Sequence, residues 1–267
     1  MATPRIVALG GHEFRAAPDQ LAIVAHLLAL TGAERPRVCL LPTASGDPRD
    51  GIQSFHATMD RFDCDATHLS LFRREQERID LRERLLSQDL IYVAGGSMLN
   101  LIAIWGAHGI DSLLREAWER GVLLAGQSAG AMCWFERGIT ASGGAPASAP
   151  GLGLLGGSLC VHYARDPGRR SAYLAEVAAG LPAGFALDDG AGLLFEGAAA
   201  VEAFAGRRGA RVIRVERDGA GVREMELRPI PLRYEMQTVD DPGLDELHAL
   251  RRAGVAIGGS RGAVRLR

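Results

Sequence analysis

Apolar and polar positions alternate between two patterns along the first half of the chain. Short runs that are apolar at consecutive positions occur at Ile6–Leu9, Val38–Leu41, Ala66–Leu71, Leu90–Val93 and Val122–Ala125. Runs of this kind suit strands of a parallel sheet covered on both faces. Amphipathic stretches lie between them, at Pro18–Thr31, Gly51–Phe62, Ile79–Leu86 and Met98–Trp118, and predict helices. The resulting order, strand and helix in strict alternation, predicts a three-layer α/β/α sandwich around a mostly parallel, doubly wound sheet. In such folds the functional crevice lies at the carboxyl ends of the strands. Gly10-Gly11, Thr43–Gly46, Gly95-Gly96 and Gln127-Ser128 directly follow strands, so they are expected at one edge of the sheet.

The rhythm changes from about Gly138. Residues Gly143–Gly157, rich in Gly, Ala and Pro, read as an ordered loop or short turns. A strand ending at His162 and a helix over Ser171–Ala179 follow. Residues 184–227 read as short antiparallel strands, with turn signals at Asp189-Gly190, Glu196-Gly197, Gly206-Arg207 and Asp218-Gly219. No linker interrupts residues 1–239, which are expected to form a single α/β domain. Residues 240–267 are expected to add a helix (Leu244–Ala253) and an Arg-rich tail, read as a solvated terminus.

Composition narrows the chemistry. Hydrophobic residues make up 47% of 267 positions, enough for a large core. A formal net charge of −2 predicts neither nucleic acid nor an anionic membrane as partner. The basic residues are all arginine, which excludes Schiff-base, Ser-Lys and P-loop mechanisms. The N-terminus lacks the charged start and long apolar run of a signal peptide, and no stretch approaches a membrane span. The four cysteines, Cys39, Cys64, Cys133 and Cys160, fit no metal or disulfide spacing, so reduced thiols in a cytoplasmic protein are expected. No metal or other cofactor is expected.

The most informative segment is Val122–Phe135, where an apolar run ends at Gly126-Gln127-Ser128-Ala129-Gly130 and a helix-compatible stretch follows. Gly-x-Ser-x-Gly at a strand-to-helix turn lifts a serine hydroxyl above the sheet edge. A serine nucleophile needs a base and an acid that orients it. His162 follows Ser128 by 34 residues at the end of a predicted strand, and Asp188-Asp189-Gly190 comes later still. Taken alone, Asp188-Asp189-Gly190 reads as a hairpin turn. The order Ser, His, Asp is not that of α/β-hydrolases.

Three segments together resemble the peptidase E family of serine peptidases, the aspartyl dipeptidases, built on the class I glutamine-amidotransferase-like scaffold. They are Asp89-Leu-Ile-Tyr-Val-Ala-Gly-Gly-Ser-Met-Leu-Asn-Leu, Gly121-Val-Leu-Leu-Ala-Gly-Gln-Ser-Ala-Gly-Ala and Leu187-Asp188-Asp189-Gly190. The resemblance implies Ser128 as nucleophile, His162 as base and Asp189 as orienting acid, with Asp188 as the alternative acid. It implies an oxyanion hole made by the backbone N–H groups of Gly96 and Ala129. It implies substrate contacts from Gln127 and Ser97, and from Arg170, or Arg169 in its place, as the arginine that grips the N-terminal aspartate of a dipeptide. Three departures bear on that specificity. The insert between histidine and arginine is short, Thr140–Pro146 holds no acid, and Gln127 replaces a tryptophan. The expected activity is hydrolysis of small peptides through an acyl-enzyme. A cyanophycinase-like peptidase acting on β-Asp-Arg and a non-catalytic binding module are the alternatives, and a homodimer is compatible with the sequence.

Overall fold

In the computed structural model, residues 3–72, 80–219 and 221–235 are described, and Met1–Tyr234 form one compact unit. The helix expected over Leu244–Ala253 and the Arg-rich tail lie outside the described residues.

An eight-stranded sheet carries the first half of the chain, in the order β14-β11-β10-β1-β5-β4-β2-β3. Its strands β1 (Arg5–Leu9), β5 (Leu123–Gln127), β4 (Leu90–Val93), β2 (Arg37–Leu41) and β3 (Asp65–His68) are parallel neighbours. These are the strands expected from the apolar runs. The remaining strands extend the sheet beyond β1. There β10 (Ala191–Glu196) pairs antiparallel with β1 and with β11 (Ala199–Ala205), and the two-residue β14 (Ile230–Pro231) joins β11 in parallel.

Strict alternation on each strand sorts residues into two cores. Val7, Leu9, Val38, Leu40, Leu90, Tyr92, Leu123 and Ala125 face α1 (Pro18–Thr31) and α2 (Arg49–Met59). Ile6, Ala8, Cys39, Leu41, Ile91, Val93 and Leu124 face the opposite layer. That layer holds α3 (Leu81–Leu86), α4 (Met98–His108) and α5 (Ile110–Glu119). The single helix expected over Met98–Trp118 is two, because Gly109 adopts φ 68° and ends one helix where the next begins.

The rest of that layer is a second sheet rather than a continuation of the first. It has six strands in the order β13-β12-β9-β8-β6-β7. These are β6 (Phe135–Thr140), β7 (Ala147–Pro150), β8 (Leu155–Val161), β9 (Gly184–Leu187), β12 (Val212–Asp218) and β13 (Gly221–Leu227). Phe135, Leu155, Leu159, Val161, Leu187 and Val212 join the core under the first sheet. On the other face Cys160, Ala186, Ile213 and Val215 pack against Tyr173 and Val177 of α7 (Pro167–Ala178).

Two local expectations are thereby corrected. Part of Gly143–Gly157 is strand, since Gly138 and Ile139 of β6 pair with Ala149 and Ser148 of β7. Residues 184–227 are not uniformly antiparallel: β9 runs parallel to β8, while Glu196-Gly197 and Asp218-Gly219 do turn antiparallel hairpins.

Candidate active site

The chain crosses from the first sheet to the second just after β5, and Ser128 sits at that crossing. Its backbone is held at φ 55°, ψ −117°, a conformation L-residues avoid. Two close contacts enforce it. A Cβ on Gly126 would lie 2.1 Å from the Gly130 carbonyl oxygen, and one on Gly130 would lie 2.3 Å from that of Val93. The glycines of Gly-x-Ser-x-Gly therefore let the turn fold onto the end of β4. The Ser128 N–H donates to the Leu9 carbonyl at 3.2 Å, which ties the turn to β1. The helix after the serine, α6 (Ala129–Met132), is a single turn. Its dipole is correspondingly small, so stabilisation of negative charge here falls to individual N–H groups.

His162 and Asp189 come from the second sheet. They follow β8 and β9, which are parallel neighbours with Val161 opposite Leu187, so both residues leave the same edge side by side. His162 also adopts a left-handed φ of 58°. Its Nε2 lies 2.8 Å from Ser128 Oγ, and its Nδ1 bonds Asp189 Oδ1. Asp189 Oδ2 accepts from Arg165 at 3.1 Å. Burial opposes ionisation of Asp189. The hydrogen bond from His162 and the charges of His162, Arg165 and Arg207 outweigh it and hold the carboxyl below its usual pKa. An ionised Asp189 can only accept, so His162 carries its proton on Nδ1 and leaves Nε2 free to accept from Ser128.

Asp189-Gly190 is thus a crossover from β9 back to β10 in the first sheet, not a hairpin turn. Asp188 points elsewhere. It is 2% exposed and accepts from the Ala164 N–H (2.8 Å), the Arg211 N–H (3.1 Å) and Arg211 Nε (2.9 Å). Those bonds pin the turn after His162 to the turn that bears Asp189.

Gly10-Gly11 has a role that no sequence motif signalled. A Cβ on Gly11 would fall 2.3 Å from Asp189 Oδ1 and 3.2 Å from His162 Cε1. The pair therefore forms the notch that admits the acid and the imidazole to the edge of the first sheet. On the other side of the serine, a Cβ on Gly95 would lie 3.1 Å from Ser128 Cβ. Gly96, at φ 143°, packs its Cα against the Ala44 carbonyl. Ala129 is fully buried behind the serine.

A cavity of about 400 Å³ opens beside His162 and Asp189, bounded also by Gly11, Gln127, His12, Glu13 and Arg15 with Asp19, Arg165 and Arg207. Of the expected substrate residues, only Gln127 lines it. Arg170 Nη2 instead pairs with Glu224 Oε2 at 2.7 Å, and its guanidinium lies over the Tyr163 ring. Arg169 is bound to Asp166 at the start of α7, through its backbone N–H and a 3.4 Å ion pair. Ser97 caps α4 by accepting from the Asn100 N–H at 3.2 Å. The arginines that do reach the cavity, Arg15, Arg165 and Arg207, carry no motif that marks them in the sequence.

His12 shapes the cavity wall from below. It is buried, with Nδ1 3.0 Å from Tyr92 Oη and Nε2 3.3 Å from the Gln20 carbonyl. Burial pushes its pKa down to about 4. The neutral ring then donates from Nε2 to Gln20 and accepts at Nδ1 from Tyr92. The Gln20 side chain in turn holds the Glu13 N–H at 2.7 Å. Cys39, Cys133 and Cys160 are buried, and burial raises each thiol, Cys39 to about 11, so none offers a thiolate. Among the described residues no group of three or more His, Cys, Asp or Glu side chains is placed to hold a metal ion. No described helix is long and apolar enough to cross a membrane.

Comparison with known proteins agrees with the resemblance carried by the three segments. The pattern of peptidase family S51 matches residues 6–202. An uncharacterised peptidase of Bacillus subtilis (strain 168), YgaJ, is 41% identical over 231 residues, covering 86% of this chain and 98% of that one. The crystal structure of a peptidase from an acI-B1 actinobacterium superposes with a TM-score of 0.62 at 19% identity, over 85% of this chain and 95% of that one. A putative peptidase E protein from Listeria monocytogenes EGD-e gives 0.52 at 16% identity, over 85% of this chain and all of the other. At these identities the two structures speak for the fold. The family match and the Bacillus relative show that the chain belongs to peptidase family S51, as a serine-type peptidase.

Proposed function

We propose that the chain hydrolyses small peptides by acyl transfer through Ser128, with His162 as general base and Asp189 as the acid that orients it. One observation carries this reading: the unbroken hydrogen-bond path from Ser128 Oγ through both ring nitrogens of His162 to Asp189. His162 Nε2 takes the hydroxyl proton as Oγ attacks the scissile carbonyl. The N–H groups of Gly96 and Ala129 hold the oxygen that becomes negative, a task for which rigid backbone donors suit because they need no reorganisation. The imidazolium, stabilised by ionised Asp189, passes its proton to the leaving amine. His162 then activates the water that releases the acyl group and restores Ser128. The charged cavity beside His162 suits the charged terminus of a short peptide, since it presents carboxylates and guanidinia together.

A fluorophosphonate probe tests the assignment. It is expected to label the wild-type protein at Ser128. Ser128→Ala is expected to fold normally, resist the probe and lose peptide turnover. Turnover that survives in Ser128→Ala refutes the reading. A β-Asp-Arg dipeptide brings both charge signs to the same cavity, so running it in the turnover assay beside α-linked dipeptides decides between a cyanophycinase-like and a general dipeptidase activity.

A further inference from the structure

A second cavity, of about 340 Å³, lies on the Gly95 side of the serine. It shares His12, Glu13, Arg15 and Gln127 with the charged cavity, but its other walls differ in kind. Phe14, Leu40, Pro42, Pro48 and Ala94 line it. Phe14 is held rigidly, edge-on to Phe55 and Tyr92 with ring centroids 5.0 and 4.9 Å away. Leu40, Pro42 and Ala94 sit at the carboxyl ends of β2 and β4, in the crevice where this class of sheet binds ligands. Gly95 lines the cavity and approaches Ser128 with no side chain between them. The uncharged polar groups are His12, Ser45, Ser54 and Gln127, and the charged ones, Glu13 and Arg15, are paired with each other at 3.3 Å.

We propose that this cavity is a specificity subsite for an apolar side chain of leucine or phenylalanine size, on a peptide residue flanking the scissile bond. The proposal rests on the reading of Ser128 as nucleophile, and it names the substrate class: short peptides with an apolar side chain on the Gly95 side and a charged end on the His162 side. The volume and the pattern of apolar walls with polar groups among them are those of a pre-formed ligand site. An acidic side chain is disfavoured there. Its carboxylate would lose water against Phe14, Leu40, Pro42 and Ala94, and the nearest guanidinium is engaged.

The test is a dipeptide series with Leu, Phe, Gly and Asp placed in turn at each position. The wild-type KM for the favoured Leu or Phe peptide is expected to be roughly tenfold or more below that of its Gly counterpart, the usual gain from burying such a side chain. The Asp peptide is expected to do no better than Gly. Ser54→Phe, at an exposed position of α2, fills the cavity and is expected to bring the Leu-to-Gly ratio close to one, with its melting temperature confirming the fold. Phe14→Ala removes an aromatic wall and is expected to reduce the same ratio. A wild-type preference for Asp, or a Leu-to-Gly ratio that both variants leave intact, overturns the proposal.

Calorimetric titration of Ser128→Ala with the Leu and Gly dipeptides reads the subsite without turnover. If the wild type resists the fluorophosphonate yet Ser128→Ala prefers the Leu peptide, the nucleophile reading fails and the subsite stands. If the probe labels Ser128 and the titration shows no preference, the subsite fails alone.

Discussion

Ser128 stands in a backbone conformation that costs about 1–3 kcal/mol for a residue with a Cβ. Glycine relieves that cost but adds freedom to the unfolded chain. Ser128→Gly is therefore expected to gain about 1 kcal/mol in denaturant unfolding while losing all probe labelling, so that stability and activity move in opposite directions. Asp188 was the alternative acid, and its bonds assign it a different task. Asp188→Ala orphans the Ala164 N–H and Arg211, and is expected to cost about 2 kcal/mol and to slow labelling of Ser128, because the turns bearing His162 and Asp189 are no longer pinned together. An Asp188→Ala protein that labels at the wild-type rate would show that the pinning is dispensable. Arg170, half-exposed and bound to Glu224, is expected to be replaceable by alanine with turnover of small peptides within twofold of wild type.

At the scale of elements, the strand-turn-helix around the serine was legible because its cause is local: an apolar run, then small residues at fixed spacing. What the spacing could not reveal is that α6 is one turn long before the chain departs into the second sheet. The tight fold at this turn makes the glycines steric requirements. Gly126→Ala and Gly130→Ala each force a methyl group into a carbonyl oxygen, and each is expected to cost about 2–3 kcal/mol in denaturant unfolding. A loss below about 0.5 kcal/mol in either variant would mean that the end of β4 can yield. The split of the expected Met98–Trp118 helix has an equally local cause, a left-handed Gly109, but glycine inside an apolar pattern does not announce which conformation it takes.

At the scale of the molecule, the hydroxyl belongs to one sheet and the imidazole and carboxylate to another. The chain leaves the first sheet at Ser128 and returns to it at Asp189, and Gly11 on β1's exit receives the acid. Docking of the two sheets is thus what assembles the site. The buried His12 beneath it links this assembly to pH. Its folded pKa is depressed to about 4 from an unfolded value of 6.5, so the unfolded chain binds more protons between those values. Stability is complete above about pH 6.5 and falls as pH drops toward about 4, by about 3 kcal/mol from this group. His12→Asn is expected to flatten that part of the pH–stability curve relative to wild type. Parallel curves for the two proteins between pH 4 and 6.5 would show that His12 is protonated without penalty.

The amino-acid sequence by itself determined the parallel strands, the helices that cover them and the turn that carries the serine. Each of these follows from side-chain periodicity or sterics within a dozen residues. Tertiary structure alone decided the rest. It divided the strands between two sheets, because consecutive short strands with mixed apolar faces can extend one sheet or found another. It brought Asp189 rather than Asp188 to His162, since Asp188 accepts from Ala164 and Arg211 instead. It brought Arg165 rather than Arg170 to the cavity, because the left-handed His162 and the start of α7 at Pro167 aim residues five positions apart at different surroundings. Contacts across 27 to 178 residues leave no trace in local pattern, and they are what place a carboxylate, an imidazole and a notch for them beside one hydroxyl.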